Sequence, residues 1–321
     1  HQTVNDNSVQ AGAQGALATN QAVVDASNSA TGVAAGVFNS QLHLDGNVTA
    51  GASAGLLGRN VPISIGDQVT VNDNTVGASA LGTKASNITS IEGAAVNGGT
   101  ASVLSGQTHT TGNVSATANV DTLGTTSSIS STNSHQTVSS NLVQADAQGT
   151  VAASQAVISA NNSATGVTAG VTSVQNHTAG DVGALANVGA LGRSALVSVG
   201  EDVTINGNVV EASALGSKAS NLASIEGATV TNAVAAVANA QTHTAGGVNA
   251  IASVNTLGTA SGAASTGNRL TINGNSVQTT AQGADSSNRA SVRADGAMTN
   301  PIAAAANSGQ ASPQSTLMVR R

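Results

Sequence analysis

One framework of residues returns along this chain at a fixed step of 67 residues. Its asparagine and its glycine keep that step through five copies without one slip in register. The asparagines are Asn7, Asn74, Asn141, Asn208 and Asn275, and the glycines are Gly15, Gly82, Gly149, Gly216 and Gly283. A period of this length indicates a repeat architecture before it indicates any chemistry.

The repeat is itself doubled. His1-Gln2-Thr3-Val4 returns as His135-Gln136-Thr137-Val138, and Ile91-Glu92-Gly93 returns as Ile225-Glu226-Gly227, both after 134 residues. The sequence therefore predicts four repeats in two pairs over residues 1–268. Residues 269–321 are predicted to form a partial fifth repeat and a basic C-terminal tail.

The composition limits what kind of core the repeats can build. Phe38 is the one aromatic residue of the Phe, Tyr and Trp class, so the core must consist of thin layers of Val, Ile, Leu and Ala. Charged residues make up 7%, against about a quarter in ordinary soluble domains, while 40% of the chain is apolar. A disordered chain normally combines high charge with little apolar content, so disorder is not expected. The absence of cysteine excludes disulfides and thiolate sites.

The net charge of −6 is unevenly distributed. Residues 1–268 hold thirteen acidic and four basic residues, whereas residues 269–321 hold two acidic residues and five arginines. An acidic body lacks the basic face that nucleic acid needs, so nucleic acid is not an expected partner. No apolar run approaches the roughly 18 to 20 residues that span a bilayer. The start at His1 fits a mature exported chain whose signal peptide has been removed.

Local patterns within each repeat favour strands. Val9, Ala11 and Ala13 alternate with polar or small residues, which is the two-residue period of a half-buried strand. Such runs are short, and Asn and Gly bound them, as expected at tight corners. We predict an all-β fold, a parallel β-solenoid (β-helix) built from 67-residue repeats. Each repeat is predicted to make three coils of about 22 residues, with two or four coils as the alternatives.

That coil count fixes expected distances between equivalent residues. Three coils per repeat separate equivalent histidines by about 14 Å, and separate the bases of successive 134-residue pairs by about 29 Å. A metal needs its ligands within a few ångströms, so the sequence predicts structural or surface histidines and no metal site. The histidines concerned are His43, His109, His177 and His243, and the bases are Arg59 with Arg193 and Lys84 with Lys218.

Three other patterns resemble catalytic or metal-binding motifs and are interpreted as structural. The Gly-x-Ser-x-Gly letters around Ser53 have meaning only at a turn from a strand into a helix, and no helix is indicated there. Glu201 and Asp202 are neighbours on a predicted strand, so they point to opposite faces. Asn72-Asp73-Asn74 lacks the spaced carboxylates of a calcium loop. We therefore predict no catalytic residue, no cofactor and no enzyme activity.

The Asn-x-Val-x-Ala-x-Ala pattern, the Gln, Asn, Ser, Gly and Ala bias and the lack of aromatic residues resemble secreted bacterial β-solenoid fibre and adhesin proteins. That broad group includes curli-like and Fap-like functional amyloids and holdfast-anchor proteins. The stretch 74–87 also resembles the roll of trimeric autotransporter heads, although their short period does not continue here. The resemblance implies an extracellular matrix or attachment role on the bacterial cell surface.

From these patterns we predict a structural subunit of an extracellular fibre that polymerises head to tail by β-strand addition and supports adhesion or a biofilm matrix. Its main partner is a further copy of itself, with a cell-surface anchor or polysaccharide as possible additional partners. The candidate assembly residues are His1, Gln2, Thr3 and Val4 at one end and Leu317, Met318 and Val319 at the other. The alternative is a monomeric adhesin stalk or passenger that binds carbohydrate, or less readily ice, through a flat Thr, Ser and Asn face.

Overall fold

The computed structural model is an all-β solenoid of parallel strands. It describes residues 1–44, 46–110, 112–244, 246–311 and 315–320, with the backbone alone described at 259–262, 300–301, 310–311 and 315–320. The strands are β1 (Gln2–Asn5), β2 (Ser8–Thr31), β3 (Ala34–His43), β4 (Val48–Ile65), β5 (Gln68–Asn72), β6 (Thr75–Asn97), β7 (Thr100–His109), β8 (Val114–Thr132), β9 (His135–Ser139), β10 (Leu142–His177), β11 (Val182–Val199), β12 (Asp202–Asn206), β13 (Val209–His243), β14 (Val248–Thr266), β15 (Arg269–Asn273), β16 (Ser276–Ala311) and β17 (Ser315–Arg320).

Each 67-residue repeat makes one coil. Val143, for example, pairs with Val76 on one side and Val210 on the other, and all strand pairs follow this step to within two residues. The predicted β-solenoid is therefore confirmed, whereas three coils per repeat is wrong, as are two and four. Five coils stack over about 19 Å from first to last, at about 4.8 Å per level. We number them coil one (residues 1–67) to coil five (269–320).

The coil has three parallel sides. The short sheet contains β1, β5, β9, β12 and β15, and the third sheet contains β4, β8, β11, β14 and β17. The long sheet contains the remaining strands, in which β2 with β3 and β6 with β7 become the single strands β10, β13 and β16 in later coils. Strands of up to 36 residues result, instead of the short runs that the sequence suggested.

The corners of the coil are set by residues with left-handed backbone. In coil one these are Asp6, Gly32 and Gly66, with φ values of 56°, 63° and 61°. Asp, Asn and Gly are the residues that tolerate this region most readily. The Leu-Gly pairs have another role, because Gly58, with φ of 147°, lies inside β4, where it bends the strand without ending it. Each coil is long because its glycines do not all make corners.

Successive coils alternate in the position of one extra residue. Coils one and three have two residues, 27–28 and 161–162, where coils two and four have one, at 94 and 228. On the third sheet the even coils instead carry the extra residue, at 128–129 and 262–263. The two changes cancel, so the step returns to 67 while the full pattern repeats after two coils. This alternation explains the doubling of the repeat in the sequence.

Two apolar cores run through the stack. The first lies between the short sheet, the start of the long sheet and the third sheet, and includes Val76, Val143 and Val210. The second lies where the long sheet folds back on itself, and includes Ile91, Ile158 and Ile225. Buried polar side chains separate the two cores.

The C-terminal region continues the solenoid. Strand β16 pairs with β13 from Ser276 to Ala311, and β17 pairs with Val248–Ser253 of β14. The weaker sequence pattern after Gly283 therefore does not prevent that segment from stacking as coil five. The last residue, Arg321, lies outside the described residues.

The framework glycines are required for space. A Cβ added to Gly149 would lie 2.3 Å from the carbonyl oxygen of Gly216 and 3.1 Å from His177 Nδ1. Gly15, Gly82 and Gly216 of the same column would likewise place a Cβ 2.3 Å from a backbone oxygen of the next coil. Side chains cannot be placed there without separating the coils.

We expect Gly149→Ala to lower the free energy of unfolding by about 1–3 kcal/mol, as overpacking does elsewhere. Gly170→Ala is the matched control, because the two glycines lie in the same strand and an added Cβ at Gly170 meets no atom within 4 Å. Urea unfolding of the three proteins measures the difference. Equal midpoints for Gly149→Ala and the unsubstituted chain would contradict this role.

Candidate functional site

The candidate site is the pair of end coils, whose strands have open edges. In the described part of the chain, β1 to β4 pair only with coil two, and β15 to β17 pair only with coil four. Unpaired N–H and C=O groups along a sheet edge invite a further strand. Both ends of this solenoid can therefore accept another coil.

Both apolar cores are also open at the ends. Val9 and Val277, the end members of one core column, are half-buried, whereas Val76, Val143 and Val210 between them are 1%, 0% and 2% exposed. Every partly buried residue that packs against either core belongs to coil one or coil five. These core members at the end coils thus leave apolar surface in water that a further coil would cover.

An asparagine ladder runs along the first corner and has a direction. The amide nitrogen of each asparagine donates to Oδ1 of the asparagine one coil later, over 2.8 Å from Asn7 to Asn74 and again in each following coil. Its backbone N–H donates to the same oxygen. Within the described residues, no group donates to Oδ1 of Asn7 and no group accepts from the backbone N–H of Asn275. Coil one therefore ends in an acceptor, and coil five ends in a donor.

The sequence-predicted assembly residues lie at opposite ends, as predicted, but in different sheets. His1 is exposed beside β1, and Gln2, Thr3 and Val4 lie in β1 on the short sheet. Leu317, Met318 and Val319 lie in β17 on the third sheet. The column of Val4 ends at Ile272, and that of Leu317 begins at Ala50. Continued stacking thus brings each group against a different strand, and does not bring the two groups together.

A second ladder, of glutamine and histidine, fills the polar zone between the two cores. The glutamine amides donate in the opposite direction, from Gln107 to Gln41 over 2.9 Å and from Gln175 to Gln107 over 3.0 Å. Two residues along, the imidazole rings of His43, His109, His177 and His243 stack with centroids 4.6–4.7 Å apart. The expectation of about 14 Å between these rings was wrong because it assumed three coils per repeat. Their predicted structural role agrees with this packing.

The three buried rings of this ladder, His109, His177 and His243, are neutral. Each Nε2 lies 3.1–3.3 Å from a glycine carbonyl oxygen three residues later, an oxygen that can only accept, so Nε2 carries the proton. Nδ1 of His109, His177 and His243 is buried without a partner, so a second proton would find no acceptor. Burial lowers the pKa of all three rings, and the neighbouring rings help to lower the pKa of His177 to about 3.

A buried ion pair lies at the corner between the third sheet and the short sheet, next to Gly200. Arg193 and Glu201 have side chains 1% and 0% exposed and are in direct contact, and Arg193 Nη2 also donates to Ser64 Oγ over 3.0 Å. Burial lowers the pKa of Arg193, and Glu201 counteracts this. Two coils earlier, Arg59 pairs with Asp67 over 2.6 Å and lowers the pKa of that carboxyl.

Between the two arginines of this column lies Thr125. Like charges on adjacent coils would be about 4.8 Å apart, and alternation doubles that to about 10 Å. The predicted 29 Å was wrong, although the paired bases do avoid adjacent coils, since Thr125 separates the two arginines and Val151 separates Lys84 from Lys218.

The other sequence motifs form no chemical centre. Ser53 lies within strand β4 and no helix follows it, so the Gly-x-Ser-x-Gly sequence does not form a nucleophile elbow. Glu201 faces the buried arginine, whereas Asp202 lies 3.8 Å from His135 at the surface, so the two carboxylates point apart as predicted. Asn72, Asp73 and Asn74 form a corner. Among the described residues no group of three His, Asp or Glu side chains could hold a metal ion.

One cavity, of about 380 Å³, lies at the coil-five end of the first core. Leu191, Val254, Leu257 and Ile272 line it together with Asn275 of the asparagine ladder. Its apolar lining is a part of the open core and holds no cluster of ionisable groups.

No family model, curated protein or solved structure matches this chain. The fold and the end coils therefore have to be interpreted from their own geometry. In the parts of the chain that the structure describes, no helix has the length and apolarity to cross a bilayer.

We expect acid to unfold the protein through the histidine ladder. The pKa values of His109, His177 and His243 are lower in the folded protein than in the unfolded chain. The unfolded chain therefore binds more protons, and the free energy of unfolding falls as the pH drops from about 6.5 towards 3. Above about pH 6.5 the rings are neutral in both states, so the free energy of unfolding no longer depends on pH through them.

His177→Gln should flatten the dependence of the unfolding free energy on pH in this window, since a side chain that cannot titrate replaces the most shifted ring. His135→Gln is the control, because His135 is 64% exposed and should leave the slope unchanged. Urea unfolding at several pH values gives both slopes. Identical slopes for His177→Gln and the unsubstituted protein would show that the ladder does not control acid stability.

Proposed function

We propose that this protein is a non-enzymatic structural subunit that polymerises end to end into an extracellular fibre, supporting adhesion or a biofilm matrix at a bacterial surface. The observation that carries the proposal is that both apolar cores are open to solvent at the two ends of the stack. Their end members are half-buried in coils one and five and fully buried in between. Covering them with a further coil buries apolar surface, which stabilises by about 25 cal/mol per Å².

Two further features support growth at the ends. The open edges of β1 to β4 and of β15 to β17 offer backbone donors and acceptors to an added coil. The two ends also differ, since coil one ends the asparagine ladder in an acceptor and coil five ends it in a donor. A contact between two different ends does not close into a ring when the ends face opposite ways along one axis, so it produces filaments.

The extracellular location rests on the resemblance to secreted fibre proteins. Antibody labelling of intact cells that produce the protein tests the location, and a signal that requires cell lysis would contradict it.

Negative-stain electron microscopy and sedimentation over a range of concentrations test polymerisation. We expect Val9→Lys to raise the critical concentration at least about tenfold, corresponding to ~1.4 kcal/mol or more, because the joint would bury an unpaired ammonium. In the monomer Val9 is half-buried at the open end, so the lysine can reach water there. Gln10→Lys is the control, because Gln10 is exposed on the opposite face of the same strand.

Circular dichroism should show that both variants keep their strands. Monomers at every concentration in the unsubstituted protein, or equal filament formation by Val9→Lys and Gln10→Lys, would overturn polymerisation through the open core.

A second candidate function, carbohydrate binding through a flat face, is favoured by a threonine column on the outward side of the short sheet. Its members are Thr3, Thr70, Thr137, Thr204 and Thr271, which pair rung by rung. A column of Asn and Ser runs beside it, two residues along each strand. Hydroxyls and amides therefore repeat about every 4.8 Å along the axis and about every 7 Å across it.

The threonine face ranks second because it is one short strand wide and lacks the aromatic platforms common in sugar sites. If it binds polysaccharide, Thr137→Lys should reduce retention on insoluble polysaccharide, since a long charged side chain interrupts the flat face. Thr168→Lys, which alters an exposed threonine on the long sheet of the same coil, should not. Retention on ice but not on polysaccharide would assign the face to ice, and retention on neither would remove this candidate.

A further inference from the structure

We propose that the partner of the coil-five end is the coil-one end of a second copy, joined in the register that continues the 67-residue step. This inference rests on the proposed polymerisation, and adds the polarity and the register of the joint. Along β15, β16 and β17, the joint would then repeat, between molecules, the contact that already exists between successive coils within one molecule.

The asparagine ladder fits this joint. Within the stack, the asparagine of one coil donates its backbone N–H and its amide to Oδ1 in the next coil, and its carbonyl oxygen accepts from the residue after that asparagine, as Ser276 donates to Asn208. At the joint, Asn275 has the donors and the carbonyl, while Asn7 of the second copy has the open Oδ1 and is followed by Ser8. Three hydrogen bonds would form without any change in either end.

The framework continues across the same joint. Val277 would stack on Val9 of the second copy, and Gly283 would stack on Gly15. That last match matters because a Cβ at Gly216 would lie 2.3 Å from the carbonyl oxygen of Gly283, and the joint places Gly283 in the same relation to the carbonyl oxygen of Gly15. The crowded column therefore meets another glycine, and the coils can approach to the usual spacing.

The charges agree with this register. The column that contains Asp25 and Glu92 ends in Arg293 on coil five, so Arg293 would lie between Glu226 of its own chain and Asp25 of the second copy. Arg293 is 71% exposed and now pairs only with Asp295 on its own strand among the described residues. Asp285, the other acid of coil five, would face Leu17 of the second copy. The joint therefore adds an ion pair between Arg293 and Asp25.

A head-to-head joint does not fit. It turns the second copy over, which reverses the order of the three sheets around the axis. The sides of coil one contain 4, 24 with 10, and 18 strand residues, so the reversed outline does not place core on core. It would also bring the acceptor ends of two asparagine ladders together.

Cysteine cross-linking tests the register, because the chain contains no cysteine of its own. Thr3 and Thr271 are exposed, lie in the same column and are four coils apart within one chain, about 19 Å. In the proposed joint, Thr3 of one copy lies about 4.8 Å from Thr271 of the other, within disulfide range. On a denaturing gel, an oxidised mixture of Thr3→Cys and Thr271→Cys proteins should give a covalent dimer, and either protein alone should give none.

Three outcomes overturn the inference. A dimer from Thr3→Cys alone would indicate a head-to-head joint. A dimer from Thr3→Cys mixed with Met318→Cys, but not with Thr271→Cys, would indicate direct pairing of the two terminal strands. Filaments in the micrographs without any Thr3 to Thr271 cross-link would leave polymerisation intact and reject this register, whereas the absence of both filaments and cross-links would reject the two proposals together.

Discussion

The whole structure depends on one constraint: each residue stacks on its own equivalent one repeat away, about 4.8 Å along the axis. Every column of side chains must therefore be acceptable next to copies of itself. Aliphatic side chains, amides, imidazoles and glycines meet this condition, and they fill the columns of Val143, Asn141, His177 and Gly149. Charged side chains do not, which accounts for the low charge of the chain and for the spacing of Arg59 and Arg193 by two coils.

The sequence was sufficient to predict the solenoid, because the period, the alternation of Val9, Ala11 and Ala13, and the corner residues all point to it. It was not sufficient to predict the number of coils. A period of 67 residues fits one long coil or several short ones. The sequence does not distinguish a glycine at a corner, such as Gly32, from a glycine at a bend inside a strand, such as Gly58. Only the pairing of strands between repeats distinguishes these cases.

The glutamine and histidine ladder was missed from the sequence. His43, His109, His177 and His243 were recognised as equivalent positions, and the wrong coil height separated them. The preceding glutamines carried the same information, since two polar residues on one inward face of a strand indicate an interior that is polar in part. With one coil per repeat, both ladders follow from the sequence directly. The buried contact of Arg193 with Glu201 has no such periodic signal, because it occurs once.

The opposed directions of the two amide ladders have an electrical consequence. Asparagine amides donate from coil one towards coil five, and glutamine amides donate the other way, so their dipole moments subtract. Rows of aligned amides polarise one another as they lengthen. Here the axial moment of one row is offset by the other, so a long stack of such coils would gain cohesion with length without accumulating a large amide dipole.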